Sequence, residues 1–126
     1  MSEPFSIAAR VRSFRNAFRG LGVMLRSQHN ARIHALATLA ACALGALLGV
    51  SRADWLWLVA AIAGVWAAEA LNTALESLAD ATHPGAHPLV GRAKDLGAAA
   101  VLLVSLGAAV IGFLVLGPPL WRWIAG

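Results

Sequence analysis

The sequence has one cysteine, Cys42, set in an Ala/Leu-rich run. That excludes an intrachain disulfide framework and any CxxC-type metal cluster. Charge is scarce too. Asp, Glu, Lys and Arg make up 13 % of the 126 residues, against about 25 % in soluble domains. The apolar share is 60 %, against roughly 45–50 %. A single domain of this length has too much surface for its volume to hide so much apolar side chain from water. Also absent are a GxxxxGKS or GxxxxGKT loop, the HRD and DFG elements, and an HExxH pair. The usual soluble phosphate-binding architectures are thereby excluded, as is a zincin metal site. The composition left is that of an integral membrane protein.

The net charge of +4 raises the question of nucleic acid. The basic residues sit beside apolar runs, however, so anionic lipid headgroups are the better partner and no nucleic-acid role is read. Residues 5–28 form an amphipathic surface helix. Ile7, Val11, Phe14, Phe18, Leu21 and Leu25 recur at spacings of three and four, with Arg10, Arg12, Arg15, Arg19 and Arg26 mostly off that stripe. The first fully apolar run begins only at Ile33, too late for a secretory signal.

Three membrane spans follow, at 33–50, 55–78 and 96–117. A bilayer core of about 30 Å needs about 20 helical residues, and each run is long enough. Gly49-Val50-Ser51-Arg52 marks a tight turn, and His83-Pro84-Gly85-Ala86-His87-Pro88 a longer loop. Trp55, Trp57, Trp121 and Trp123 sit at one end of their spans, as interfacial belts do. Six Lys or Arg precede the first span and two follow the second, whereas the opposite side has only Arg52 and Arg122. That asymmetry puts the N-terminus and the 81–95 loop in the cytoplasm.

The second span carries the chemistry. At 100° per residue, Glu69, Asn72, Thr73, Glu76 and Asp80 fall within about 60° of one direction. A charge at mid-bilayer costs about 2.5–3.5 kcal/mol, so a stripe of three carboxylates points to use. The competing reading is a pore-facing or helix-packing stripe. Glu69 lies about 21 Å along the helix from Trp55 and Glu76 about 10 Å further. Two turns apart, they cannot share one metal ion directly; one suits a lipid hydroxyl and the other a metal-bound, water-soluble reactant. Lys94 is the only lysine among nine arginines. It reads either as a snorkelling anchor, with Asp95 as the N-cap of the next helix, or as a phosphate ligand beside the acidic stripe. His29, His34 and His83 read as interfacial polar groups. His87, in the loop near Lys94, is balanced between that role and contact with a nucleotide.

The stretch Glu69-Ala-Leu-Asn72-Thr73-Ala-Leu-Glu76-Ser-Leu-Ala-Asp80, followed by Arg92-Ala-Lys94-Asp95, closely resembles the prokaryotic diacylglycerol kinase family, which includes undecaprenol kinases. Gln28-His-Asn30-Ala-Arg32-Ile-His34 is similar to that family's junction between surface helix and first span, and the likeness covers roughly residues 10–118. The resemblance implies a homotrimer in the bacterial inner membrane that phosphorylates a membrane lipid alcohol with ATP and magnesium. Diacylglycerol is the leading substrate and undecaprenol the alternative. It also implies Glu69 as the general base or hydroxyl-positioning carboxylate and Glu76 as the magnesium ligand. Asn72, Lys94 and Asp95 would orient the phosphates, and His87 would lie near the nucleotide. Where the family usually has a second metal-binding Glu, this chain has Gln28, whose amide oxygen coordinates without adding negative charge. Two other classes compete: a small proton-coupled exporter, which usually pairs a lone intramembrane acid with an even set of spans, and a non-catalytic subunit derived from the kinase fold.

Overall fold

The computed structural model describes residues 5–126, and these form four helices: α1, Ile7–Ser27; α2, His29–Leu48; α3, Arg52–Thr82; and α4, Pro88–Ala125. The last three are long and apolar enough to cross a membrane.

Local sequence sets each boundary. Ser6 caps α1 by accepting from the Ala9 N–H. Between α1 and α2 only Gln28 leaves helical geometry, at φ −108° and ψ 121°. Arg32 holds this corner from one turn into α2: its guanidinium donates to the carbonyl oxygens of Leu25 at 3.0 Å and Arg26 at 2.6 Å. The last carbonyls of α1 are thereby satisfied. Gly49, at φ 61°, ends α2, and the Val50 and Gly49 N–H groups donate back to Gly45 and Ala46. This left-handed turn favours glycine because it has no Cβ to clash. Ser51 and Asp54 then form a reciprocal capping box that starts α3.

Two boundaries differ from the sequence expectation. The helix of the first span starts before Ile33 but stops at Leu48, where Gly49 turns left-handed, and the other two helices run beyond 55–78 and 96–117, because hydrophobicity marks where lipid must be met and not where hydrogen bonding stops. Asp95 is not the N-cap of the third span. His87 is, with its Nδ1 accepting from the Leu89 N–H at 3.3 Å and Pro88 in the first turn, so α4 begins two turns before Asp95.

The core is thin and runs along α3, which packs against every other helix. Gly45 of α2 receives the Trp55 ring, and Trp66 Nε1 donates to Thr38 Oγ1 at 3.0 Å. Outward-facing apolar residues such as Leu36, Leu39, Leu103 and Phe113 are left uncovered. Such a surface needs an apolar solvent, and a lipid bilayer supplies one. On α1 the apolar residues Ile7, Val11, Phe14 and Phe18 are likewise exposed, and only Met24 is buried.

Candidate active site in the helix bundle

Near the corner between α1 and α2, a polar cavity of roughly 280 Å³ opens among α2, α3 and α4. Glu69, only 1 % exposed, forms one side of it. Its position follows from the stripe on α3: the flanking small or apolar residues pack inward or face outward and leave the polar face to the cavity. Thr73 and Ser77 lie on the same helix but donate to the carbonyls of Glu69 and Thr73, so they satisfy themselves within α3.

The second carboxylate, Glu76, is held on both oxygens. Asn72 Nδ2 donates to Oε1 at 3.1 Å, and Gln28 Nε2 donates to Oε2 at 3.1 Å. Gln28 reaches this place because the single extended residue between α1 and α2 points it at α3. Asn72 Oδ1 is buried without a partner. Gly97 of α4 passes so close that a Cβ there would collide with this oxygen. Glycine is needed here for close approach, and its backbone conformation is ordinary.

Lys94 extends over the end of the acidic stripe, and its Nζ donates to Asp80 Oδ1 at 2.8 Å. The pair is open to solvent, with side chains 38 % and 68 % exposed. It borders a second cavity, of roughly 670 Å³, formed with the 83–87 loop and including His83 and His87. The rings of His83 and His87 sit 5.3 Å apart. Asp95 is exposed on α4, and no side-chain hydrogen bond is seen for it among the described residues. The structure therefore gathers Gln28, Glu69, Asn72 and Glu76 into one cavity, sets Lys94 and His87 at the neighbouring one, and leaves Asp95 outside both.

One residue absent from the sequence-derived set belongs to the cavity. His34 turns inward from α2, with Nε2 at 3.6 Å from Glu69 Oε2. A titratable ring inside an otherwise charge-free span was the available signal, since intramembrane ionisable groups are rarely idle. Ser105 of α4 completes the wall, and its hydroxyl is buried and unbonded.

Among the described residues no three His, Cys, Asp or Glu side chains cluster closely enough to form a metal site by themselves. The donor set around Glu76 is of another kind. Rotating the Gln28 and Asn72 amides exchanges their nitrogens for oxygens, giving one carboxylate and two carbonyl oxygens. Hard oxygen donors in small number suit magnesium, which keeps several waters and takes further ligands from phosphate. The residues present fit that ion with a single negative charge.

Residues 15–116 match the family described as prokaryotic diacylglycerol kinase. The chain is 35 % identical over 109 residues to an undecaprenol kinase of Bacillus subtilis, covering 86 % of this chain and 89 % of that protein. It is 38 % identical over 109 residues to a diacylglycerol kinase of Synechocystis, covering 86 % of this chain and 62 % of the longer relative. A diacylglycerol kinase of Escherichia coli is 31 % identical over 94 residues, with 75 % and 77 % of the two chains covered.

Proposed function

The chain belongs to the prokaryotic diacylglycerol kinase family and is a membrane lipid kinase, and on that footing we propose that it transfers the γ-phosphoryl group of ATP to the hydroxyl of diacylglycerol, giving phosphatidic acid and ADP. The observation that carries the reading is the pairing of a buried carboxylate, Glu69, with a second, amide-clamped carboxylate, Glu76, two turns nearer the helix end.

In this reading Glu69 takes the proton of the lipid hydroxyl as its oxygen bonds to the γ-phosphorus. The bond from that phosphorus to the bridging oxygen breaks, and its electrons leave with ADP. Phosphoryl transfer depends on in-line placement and charge neutralisation more than on covalent chemistry. Glu76, with Gln28 and Asn72, is suited to hold magnesium, which when bound neutralises phosphate charge. Lys94, released from Asp80, meets a phosphate as a point charge, and His87 borders the nucleotide. The lysine-lined cavity at the 83–87 loop has the size of a small-molecule site.

The α1 stripe lies on the bilayer surface with its arginines toward anionic headgroups. The chain sits in the bacterial inner membrane with its N-terminus in the cytoplasm, from the Lys and Arg asymmetry. A homotrimer is the assembly that the family resemblance implies. Undecaprenol is the second reading for the acceptor, favoured by the fuller overlap with the Bacillus relative.

The test is transfer of labelled phosphate from ATP by purified protein in mixed micelles, with diacylglycerol and undecaprenol offered side by side. Preferential labelling of diacylglycerol supports the proposal, preferential labelling of undecaprenol replaces it with the second reading, and labelling of neither overturns both. Glu69→Gln removes the base and is expected to lower kcat by about 10²–10⁴ while ATP binding persists. An unimpaired Glu69→Gln enzyme would remove the base assignment.

A further inference from the structure

His34 is the buried titratable group that the proposed chemistry leaves unused. It enters the cavity from α2 with its side chain 15 % exposed, facing a Glu69 side chain that is 2 % exposed. At 3.6 Å, His34 Nε2 and Glu69 Oε2 are close enough to attract but too far apart for a hydrogen bond. Both atoms are buried and neither has another partner. Two unsatisfied polar atoms facing each other across a cavity are a poised contact, because each carries a desolvation cost that the other can relieve.

The register that aims the ring at the carboxylate is held one turn away on each helix. Thr38 Oγ1 donates to the His34 carbonyl at 2.8 Å and accepts from Trp66 Nε1 at 3.0 Å. Thr38 stands four residues after His34 on α2, and Trp66 three before Glu69 on α3. This link ties the two turns together, so the His34–Glu69 approach is built into the packing of α2 on α3.

None of the other groups facing the pair bonds Glu69 Oε2. Gln28, Asn30 and Asn72 are neutral amides, and Ser105 is the only polar contribution from α4. Glu76 is the other titratable group of the cavity wall, and its oxygens are occupied by Asn72 and Gln28. α1 contributes no residue to this wall. His34 alone in the lining can present a ring N–H to Glu69.

We propose that His34 is the positioning residue of Glu69. Resting on the assignment of Glu69 as base, the inference is that the Nε2–H donates to Oε2 and leaves Oε1 to receive the lipid hydroxyl proton. Closing from 3.6 Å to an ordinary N–H···O length takes a movement of roughly 0.7 Å. No proton leaves the ring. The hydroxyl proton ends on Glu69, the new bond forms from the hydroxyl oxygen to phosphorus, and the old bond electrons go to ADP. The donor must sit on Nε2, the tautomer that the facing carboxylate favours.

The experiment combines kinetics with a signal that does not depend on turnover. His34→Ala is expected to lower kcat roughly 10–100-fold, a fraction of what the base itself contributes. The KM for ATP should stay within about twofold, and His34→Gln, which retains a terminal N–H donor, should recover most of the loss. Adding His34→Ala to Glu69→Gln should slow the enzyme no further, because residues that act as a unit are not additive. A kcat unchanged in His34→Ala, or a full multiplicative loss in the double variant, would overturn the proposal. In micelles, the ¹⁵N signals of the His34 ring should move on Glu69→Gln and hold still on Lys94→Ala. Signals that ignore Glu69→Gln would show that no pairing exists. Because this reading needs no acceptor, it still decides the contact if the wild-type chain labels neither lipid, an outcome that overturns the substrate proposal and not the pairing.

Discussion

Replacing Gly97 by alanine is the sharpest test of the site geometry. The added Cβ would collide with Asn72 Oδ1 and stand 3.0 Å from Leu75 Cδ2. Backbone adjustment is constrained because α4 packs along α3 more extensively than any other pair of helices. The movable part is the Asn72 side chain, which must rotate away and give up its 3.1 Å bond to Glu76 Oε1. A hydrogen bond to a charged group is worth about 1.5–3 kcal/mol, and each 1.36 kcal/mol is tenfold in rate. If the Asn72–Glu76 arrangement serves the transition state, kcat/KM for ATP should therefore fall roughly 10–150-fold. Folding should suffer less. Alanine gains up to about 1 kcal/mol over glycine in a helix interior, which offsets part of the overpacking. The assay is lipid phosphorylation over a magnesium-ATP series, with helicity and melting recorded for the same samples. Gly107→Ala serves as a comparison on α4, since nothing lies within 4 Å of a Cβ there in this chain. Asn72→Ala removes the obstacle, so adding Gly97→Ala to it should cost little more. A Gly97→Ala enzyme with wild-type kinetics, or a double variant as slow as the product of the two losses, would refute the argument that Gly97 acts by making room for Asn72.

Three further outcomes follow from the same structure. Gln28→Glu sets a second carboxylate against Glu76 in place of the 3.1 Å amide contact; the magnesium needed for half-maximal rate should fall, and an unchanged magnesium curve would mean position 28 is remote from the ion. Lys94→Ala removes a cation whose partner, Asp80, is exposed; the KM for ATP should rise severalfold with little change in melting, and an unaltered KM would return Lys94 to the role of interfacial anchor. Gly45→Ala puts a Cβ 2.9 Å from Trp55 Cη2; overpacking of this kind costs about 1–3 kcal/mol, read as lowered thermal stability with the lipid and ATP KM values preserved, and an unshifted melting curve would show that the Trp55 ring can move aside.

Much of the bundle was legible because its signals are local or one-dimensional. Apolar run length located the three spans, and Gly49 with Ser51 announced the turn between two of them. The 3.6-residue period gathered Glu69, Asn72 and Glu76 on one face without any tertiary information. What escaped was what depends on how two helices meet. Asp95 looked like a cap because it precedes the apolar run, yet α4 starts at Pro88, where His87 satisfies the free N–H of Leu89. His34 looked interfacial because it sits near the start of its span. Only the crossing of α2 over α3, pinned by Thr38 and Trp66, reveals that it faces Glu69. The Lys94–Asp80 pair likewise spans the 83–87 loop, whose course no periodicity describes.

The unsatisfied groups connect fold to function. His34 Nε2, Glu69 Oε2, Asn72 Oδ1 and Ser105 Oγ are buried without a hydrogen-bond partner, and all four residues line the same cavity. Each such atom costs about 1–3 kcal/mol, a burden that substitution by an apolar side chain would lift. A membrane bundle has no structural need for it, because its spans already face lipid with ample apolar surface. In the proposed reading His34 Nε2 and Glu69 Oε2 close on each other as the lipid hydroxyl binds, and phosphate with its cation engages the amides beside Glu76. In the same reading Glu69, 1 % exposed, meets the lipid hydroxyl, and Glu76, two turns nearer the end of α3, meets the nucleotide. On that proposal one helix stripe spans the boundary between two solvents, and the two reactants meet along it while neither has to cross into the other's phase.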